Sequence, residues 1–145
     1  MSEGEGFSHE VLGKFAPVAD LAGYVEGRGN WCGRNAILIL SNDGGTYDQA
    51  SVNALALLDK DRLWAAEFND RIYEKLFKTW AENWNEEDGE ISRQDWLARI
   101  GVSRIEATAS GYFTIYYDDG DLFWGHSIEV WGSFERGVLD VKIVG

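Results

Sequence analysis

The feature that most constrains this chain is a change of hydrophobic period at Gly101. Beyond it, apolar and polar residues alternate with a period of two, the signature of strands with one buried face. Val102–Thr108, Tyr112–Tyr117, Leu122–Trp131 and Val138–Val144 read as four strands. The turns between them contain Ser110-Gly111, Asp119-Gly120 and Arg136-Gly137, so the tail is a meander.

Before Gly101 the period is helical. Projected at 100° per residue, residues 61–84 place Phe68, Ile72, Ala65, Leu76, Trp80, Tyr73, Trp84 and Phe77 on one half-circle. Glu67, Asp70, Arg71, Glu74, Lys75 and Lys78 occupy the other, which describes a core helix with a solvated face. Asp61 is placed to cap it. Thr46 caps a preceding helix reaching about Leu58, and Ser92-x-x-Asp95 opens a short one through Trp96, Leu97 and Ile100. Ahead of the helices, Tyr24–Trp31 and the continuously apolar Arg34–Ser41 read as two strands meeting near Cys32-Gly33, the second buried on both faces. The turn cluster Ser41-Asn42-Asp43-Gly44-Gly45 ends it. Residues 1–10 read as frayed. The product is a single α+β domain over 1–145: a mostly antiparallel sheet of two N-terminal strands plus a four-strand meander, with about three helices on one face.

Length and charge then bound the function. With 145 residues there is room for one core. Thirteen Lys plus Arg against 25 Asp plus Glu give a net charge of −12. Such a domain repels phosphate backbones and anionic lipid heads, which excludes nucleic acid and membrane surfaces as first partners and favours a basic protein. The single cysteine, Cys32, cannot form an internal disulfide, as expected of a reducing compartment. The acidic start Met1-Ser2-Glu3-Gly4-Glu5-Gly6 lacks the pattern of a signal peptide. The expected address is the cytoplasm.

No affirmative case for catalysis emerges. A two-residue turn at Asp119-Gly120 would face Tyr117 with Leu122, Ile115 with Trp124 and Phe113 with His126. His126 would then lie on an apolar sheet face as a core histidine holding a backbone or side-chain partner, and Trp124 would be buried. His126 and Glu129 point to opposite faces of a strand, so they cannot chelate together. Asp118, Asp119 and Asp121 crowd a turn but lack the ligand series of a calcium loop. Cys32 has no histidine near it in sequence, and Gly27-Arg28-Gly29 fails phosphate-loop spacing. Neither a metal nor another cofactor is expected.

What remains is acidity. Glu82, Glu86, Glu87, Asp88 and Glu90 form one base-free stretch; residues 105–135 carry Glu106, Asp118, Asp119, Asp121, Glu129 and Glu135. Electrostatic docking needs desolvated aromatic anchors beside such acids, because rim charges mainly set the association rate. The partner-binding candidates are therefore Trp84 with Glu86, Glu87, Asp88 and Glu90, and Tyr116 with Asp118, Asp119 and Asp121.

The run Asp119-Gly120-Asp121-Leu122-Phe123-Trp124-Gly125-His126-Ser127-Ile128-Glu129-Val130, preceded far upstream by Trp31-Cys32-Gly33 and a Trp-bearing helical middle, resembles the signature of a bacterial family of unknown function. That resemblance brings no catalytic residues. Small acidic α+β families of this type often belong to toxin–immunity loci, so it implies a cytoplasmic immunity protein, a monomer when free. Such a protein binds a cognate, basic toxin or effector and occludes its nuclease-like active-site groove. The alternatives are a small enzyme with a site around His126, and a general protein-interaction domain.

Overall fold

The computed structural model describes residues 6–85 and 89–145. Its elements in chain order are β1 (Phe7–His9), β2 (Gly13–Pro17), β3 (Tyr24–Trp31), β4 (Arg34–Ser41), α1 (Tyr47–Asp59), α2 (Asp61–Asn83), α3 (Arg93–Ala98), β5 (Gly101–Thr108), β6 (Tyr112–Asp118), β7 (Ser127–Ser133) and β8 (Gly137–Val144). The eight strands form one sheet whose spatial order is the chain order. Every neighbouring pair is antiparallel except β4 and β5, which run parallel, Leu38 beside Ile105 and Leu40 beside Ala107. A parallel pair cannot be joined by a hairpin. Here the whole helical middle is the crossover, and that places all three helices between the two halves of the sheet in sequence.

The helices begin where local chemistry starts them. Thr46 and Gln49 make a reciprocal capping box on α1, and the Ser92 hydroxyl accepts the Asp95 amide at 3.1 Å on α3. At α2 the expected cap is corrected. Lys60 is the N-cap residue, with no side-chain capping bond, and Asp61 is the first helical residue. Its carboxylate instead accepts the Cys32 amide at 2.7 Å, tying the β3–β4 turn to the helix.

Burial follows the periods. Phe68, Ile72, Leu76 and Trp80 of α2 are buried, while the six charged residues of its other face are exposed. In β6, Phe113, Ile115 and Tyr117 are buried against the helices. Their partners Ile128 and Val130 continue that layer in β7, and Ile105 and Ala107 extend it into β5. Aromatic rings fill it: Trp31 stacks on Phe68 at 5.9 Å between centroids, Phe68 meets Phe113 at 5.6 Å, and Trp80 meets Trp96 at 6.1 Å. Among the described residues, the opposite face of the sheet carries no helix. It displays Arg28, Arg104, Tyr116, Glu129 and Lys142 along one row of partners, and Glu26, Glu106, Thr114, Trp131 and Asp140 along the next.

Three features depart from the sequence reading. Phe7–His9, placed in a frayed segment, is an edge strand paired with β2, so four strands rather than two precede the helices. Phe7 packs on Phe15 and Tyr47, and His9 Nδ1 accepts the amides of Val11 and Leu12, closing the turn between the two strands. Leu122–Trp131 is not one strand, because β7 begins only at Ser127. The meander register shifts with it. Tyr117 faces Ile128, Ile115 faces Val130 and Phe113 faces Gly132.

Candidate partner-binding site

Between β6 and β7 the chain makes an eight-residue loop, 119–126, instead of a two-residue turn. Its organiser is Asp119. The side chain is 2% exposed and accepts three backbone amides, from Asp121 at 2.9 Å, Phe123 at 2.9 Å and Gly125 at 3.1 Å. Three donors converging on one carboxylate satisfy amides that would otherwise be orphaned in an irregular loop. Asp119 therefore leaves the set of partner-binding acids: it faces inward and holds the loop. Asp118, exposed, accepts the Gly120 amide at 2.9 Å, and Arg99 donates to the Gly120 carbonyl at 3.1 Å. A Cβ at Gly120 would lie 2.1 Å from the Arg99 carbonyl oxygen, and its φ is +56°, so only glycine fits there.

The loop buries Leu122 and Phe123 and pushes Trp124 outward. Trp124 is 59% exposed and has a φ of 58°; Asp121 has a φ of 64°. Left-handed backbone at non-glycine residues is uncommon and costs of order 1 kcal/mol or more. Here that cost accompanies the display of an indole. The burial expected for Trp124 is thus overturned, because the register that buried it does not form.

Trp84, the C-cap residue of α2, joins this loop. Its ring meets Trp124 at 4.7 Å, Phe123 at 5.3 Å and His126 at 5.7 Å, all edge-on. His126 does hold a backbone partner, since Nδ1 lies 2.6 Å from the Phe123 carbonyl and so carries the donated proton. It is half-buried at the loop's exit, not opposite Phe113 on the sheet. The structure therefore packs Trp84 on Trp124, in the loop that carries exposed Asp121 and follows exposed Asp118. Tyr116 lies elsewhere, on the helix-free face, where the Arg104 guanidinium sits 4.1 Å over its ring. Burial, followed by Glu106 and Glu129, raises the Tyr116 phenol above its ordinary value, against the pull of Arg104.

Glu90 is exposed beside a cavity of about 590 Å³ between α2 and the segment entering α3, lined by Tyr73, Phe77, Trp80 and Arg93. Arg93 stacks over Tyr73 and pairs with Asp70. Glu86, Glu87 and Asp88 lie outside the described residues. Cys32 is half-buried, and desolvation, then Asp61, raise its thiol above the ordinary value while Arg62 opposes them. That environment disfavours the thiolate a nucleophile needs. Among the described residues, no three His, Cys, Asp or Glu side chains are grouped to hold a metal ion, and no helix is long and apolar enough to cross a membrane.

Sequence reasoning missed the loop and its tryptophan. The available signal was the pair Gly120 and Gly125 bracketing a large aromatic, which suits an irregular loop better than a hairpin strand. Residues 9–143 match the family profile described as "Uncharacterized protein conserved in bacteria (DUF2262)". The chain belongs to that family. The matched span includes the whole of loop 119–126 and Trp84. Comparisons with curated proteins and with solved structures gave no match.

Proposed function

We propose that this chain is an immunity-type protein that neutralises a cognate basic toxin or effector by binding it, with Trp124 as the anchor and the neighbouring acids as the steering field. The observation that carries the reading is the Asp119-held loop, which fixes an exposed indole against Trp84 and carries the exposed acid Asp121. Binding energy in protein interfaces concentrates in a few tryptophans, tyrosines and arginines that enter a partner's pocket, and it is largest where the side chain is already ordered. The net charge of −12 speeds encounter with a basic surface. An effector with a phosphate-binding groove presents such a surface, and an acidic inhibitor can fill it in place of substrate.

The test is co-purification with the product of the adjacent gene in its native locus, in a catalytically inactivated form, at low and high salt. One-to-one recovery with association slowed by salt is expected. Trp124→Ala should weaken it by about 2 kcal/mol or more with an unchanged melting temperature. No recovery at either salt would overturn the reading in this form.

A further inference from the structure

We propose that two copies of this protein pair along β8, edge to edge and antiparallel, about a two-fold axis at Val141, in place of the free monomer expected from the sequence. β8 is the last strand of the sheet. Of its eight residues, Gly137–Val144, five have apolar side chains and four of those are β-branched, and Val138, Leu139, Ile143 and Val144 are only partly buried. Such an edge is a template for another strand unless something covers it.

The register is set by charge. In an antiparallel pair centred on Val141, Asp140 of each copy lies directly opposite Lys142 of the second copy; strand alternation sets both on the helix-free side, while in the single copy the Asp140 carboxylate reaches Lys75 of α2. The same face carries their partners Trp131 and Glu129 within the sheet. Two opposite-charge cross-strand pairs form at once, and a shift by one position would remove both.

Both faces beside β8 have room for arriving side chains. On the helix side a cavity of about 250 Å³ lies between α2 and β8, lined by Arg71, Lys75, Val138 and Val141. On the open side a recess of about 210 Å³ is lined by Glu129, Trp131, Asp140 and Lys142. A strand sends alternate side chains to opposite faces, so an added strand needs a place on each. The charges lining these two spaces balance, Arg71, Lys75 and Lys142 against Glu74, Glu129 and Asp140.

In the single copy the Val141 amide donates to Asp140 Oδ1 at 2.9 Å, and the same oxygen takes Lys75 Nζ at 3.3 Å. Pairing hands the Val141 amide to the carbonyl of Val141 in the second copy and frees Asp140 to meet Lys142 of that copy. The proposal is independent of the effector reading, and its test needs no other protein.

The experiment is sedimentation equilibrium on the full chain. The wild type is expected to be a dimer. Asp140→Lys and Lys142→Asp, both at exposed side chains, should each move the monomer–dimer midpoint to about tenfold higher concentration or more. An equimolar mixture of the two variants should recover a dimer containing one chain of each, read by native mass spectrometry, because the mixture restores both opposite-charge pairs. Circular dichroism confirms that each variant is folded. Hydrogen exchange at the Val141 amide of the wild type should slow as concentration rises, independently of any variant. A wild type that stays monomeric at its solubility limit would overturn the proposal. So would variants that dimerise like wild type, or a mixture that stays monomeric.

Discussion

Asp119 is a carboxylate whose partners are all backbone. Removing it would leave the amides of Asp121, Phe123 and Gly125 without their acceptor inside a loop that buries Leu122 and Phe123. Each orphaned amide costs about 1–3 kcal/mol. Asp119→Ala is therefore expected to destabilise the fold by about 3 kcal/mol or more in urea melts, and to abolish the near-ultraviolet signal of the Trp84–Trp124 pair. Tyr117 gives a second prediction, through pH. Its phenol is buried, and desolvation, followed by Cys32, raises its pKa above the ordinary 10.0. From about pH 10 upward the unfolded chain loses this proton while the folded chain keeps it. Stability is thus full below pH 10 and falls as pH rises beyond it. Tyr117→Phe should remove up to about 1.4 kcal/mol per pH unit from that slope, measured by urea melts of both proteins between pH 9 and pH 11. At this scale the sequence was misleading where it looked clearest. Asp119-Gly120 is a strong two-residue turn signal, and nothing in the residues themselves reveals that the aspartate turns inward to collect amides farther along the chain.

Elements were legible wherever their ends are local. Thr46, with Gln49 three residues on, and Ser92, with Asp95, start helices where the motif predicts. Thr46→Ala should cost about 1 kcal/mol, seen as a shift in the urea midpoint with unchanged slope. Asp61 was misassigned because the competing acceptor role, toward the Cys32 amide, comes from a strand turn 29 residues away. β1 was lost for a similar reason. It is three residues long, too short for a period, and its stability comes from Phe7 meeting Phe15 and Tyr47 in the folded molecule. The charged face of α2 read correctly as solvated. Two of its members reach other elements: Asp70 pairs with Arg93, and Lys75 with Asp140.

For the whole molecule, the class was visible in the change of period and the single layer of helices that it implies. The parallel pairing of β4 with β5 was not, since strand order is decided by how the crossover packs, not by either strand's own residues. Net charge acts at this scale too. A chain at −12 repels itself when folded, so added salt should stabilise it. Each kcal/mol relieved between 10 and 300 mM sodium chloride would raise the melting temperature by about 2–4 °C, measurable by calorimetry. The same salt should slow capture of a basic partner, so the two effects have opposite signs in one titration.

Because spatial order follows chain order, β1 and β8 stand at opposite edges of the sheet. Tension between Phe7 and Val144 would act across the strands rather than along them, opening their ladders one hydrogen-bonded pair at a time. The parallel pair β4–β5 is the middle one of the seven, the fourth reached from either edge. A motor that threads polypeptide could peel this sheet from either side without first meeting a strand pair loaded in shear.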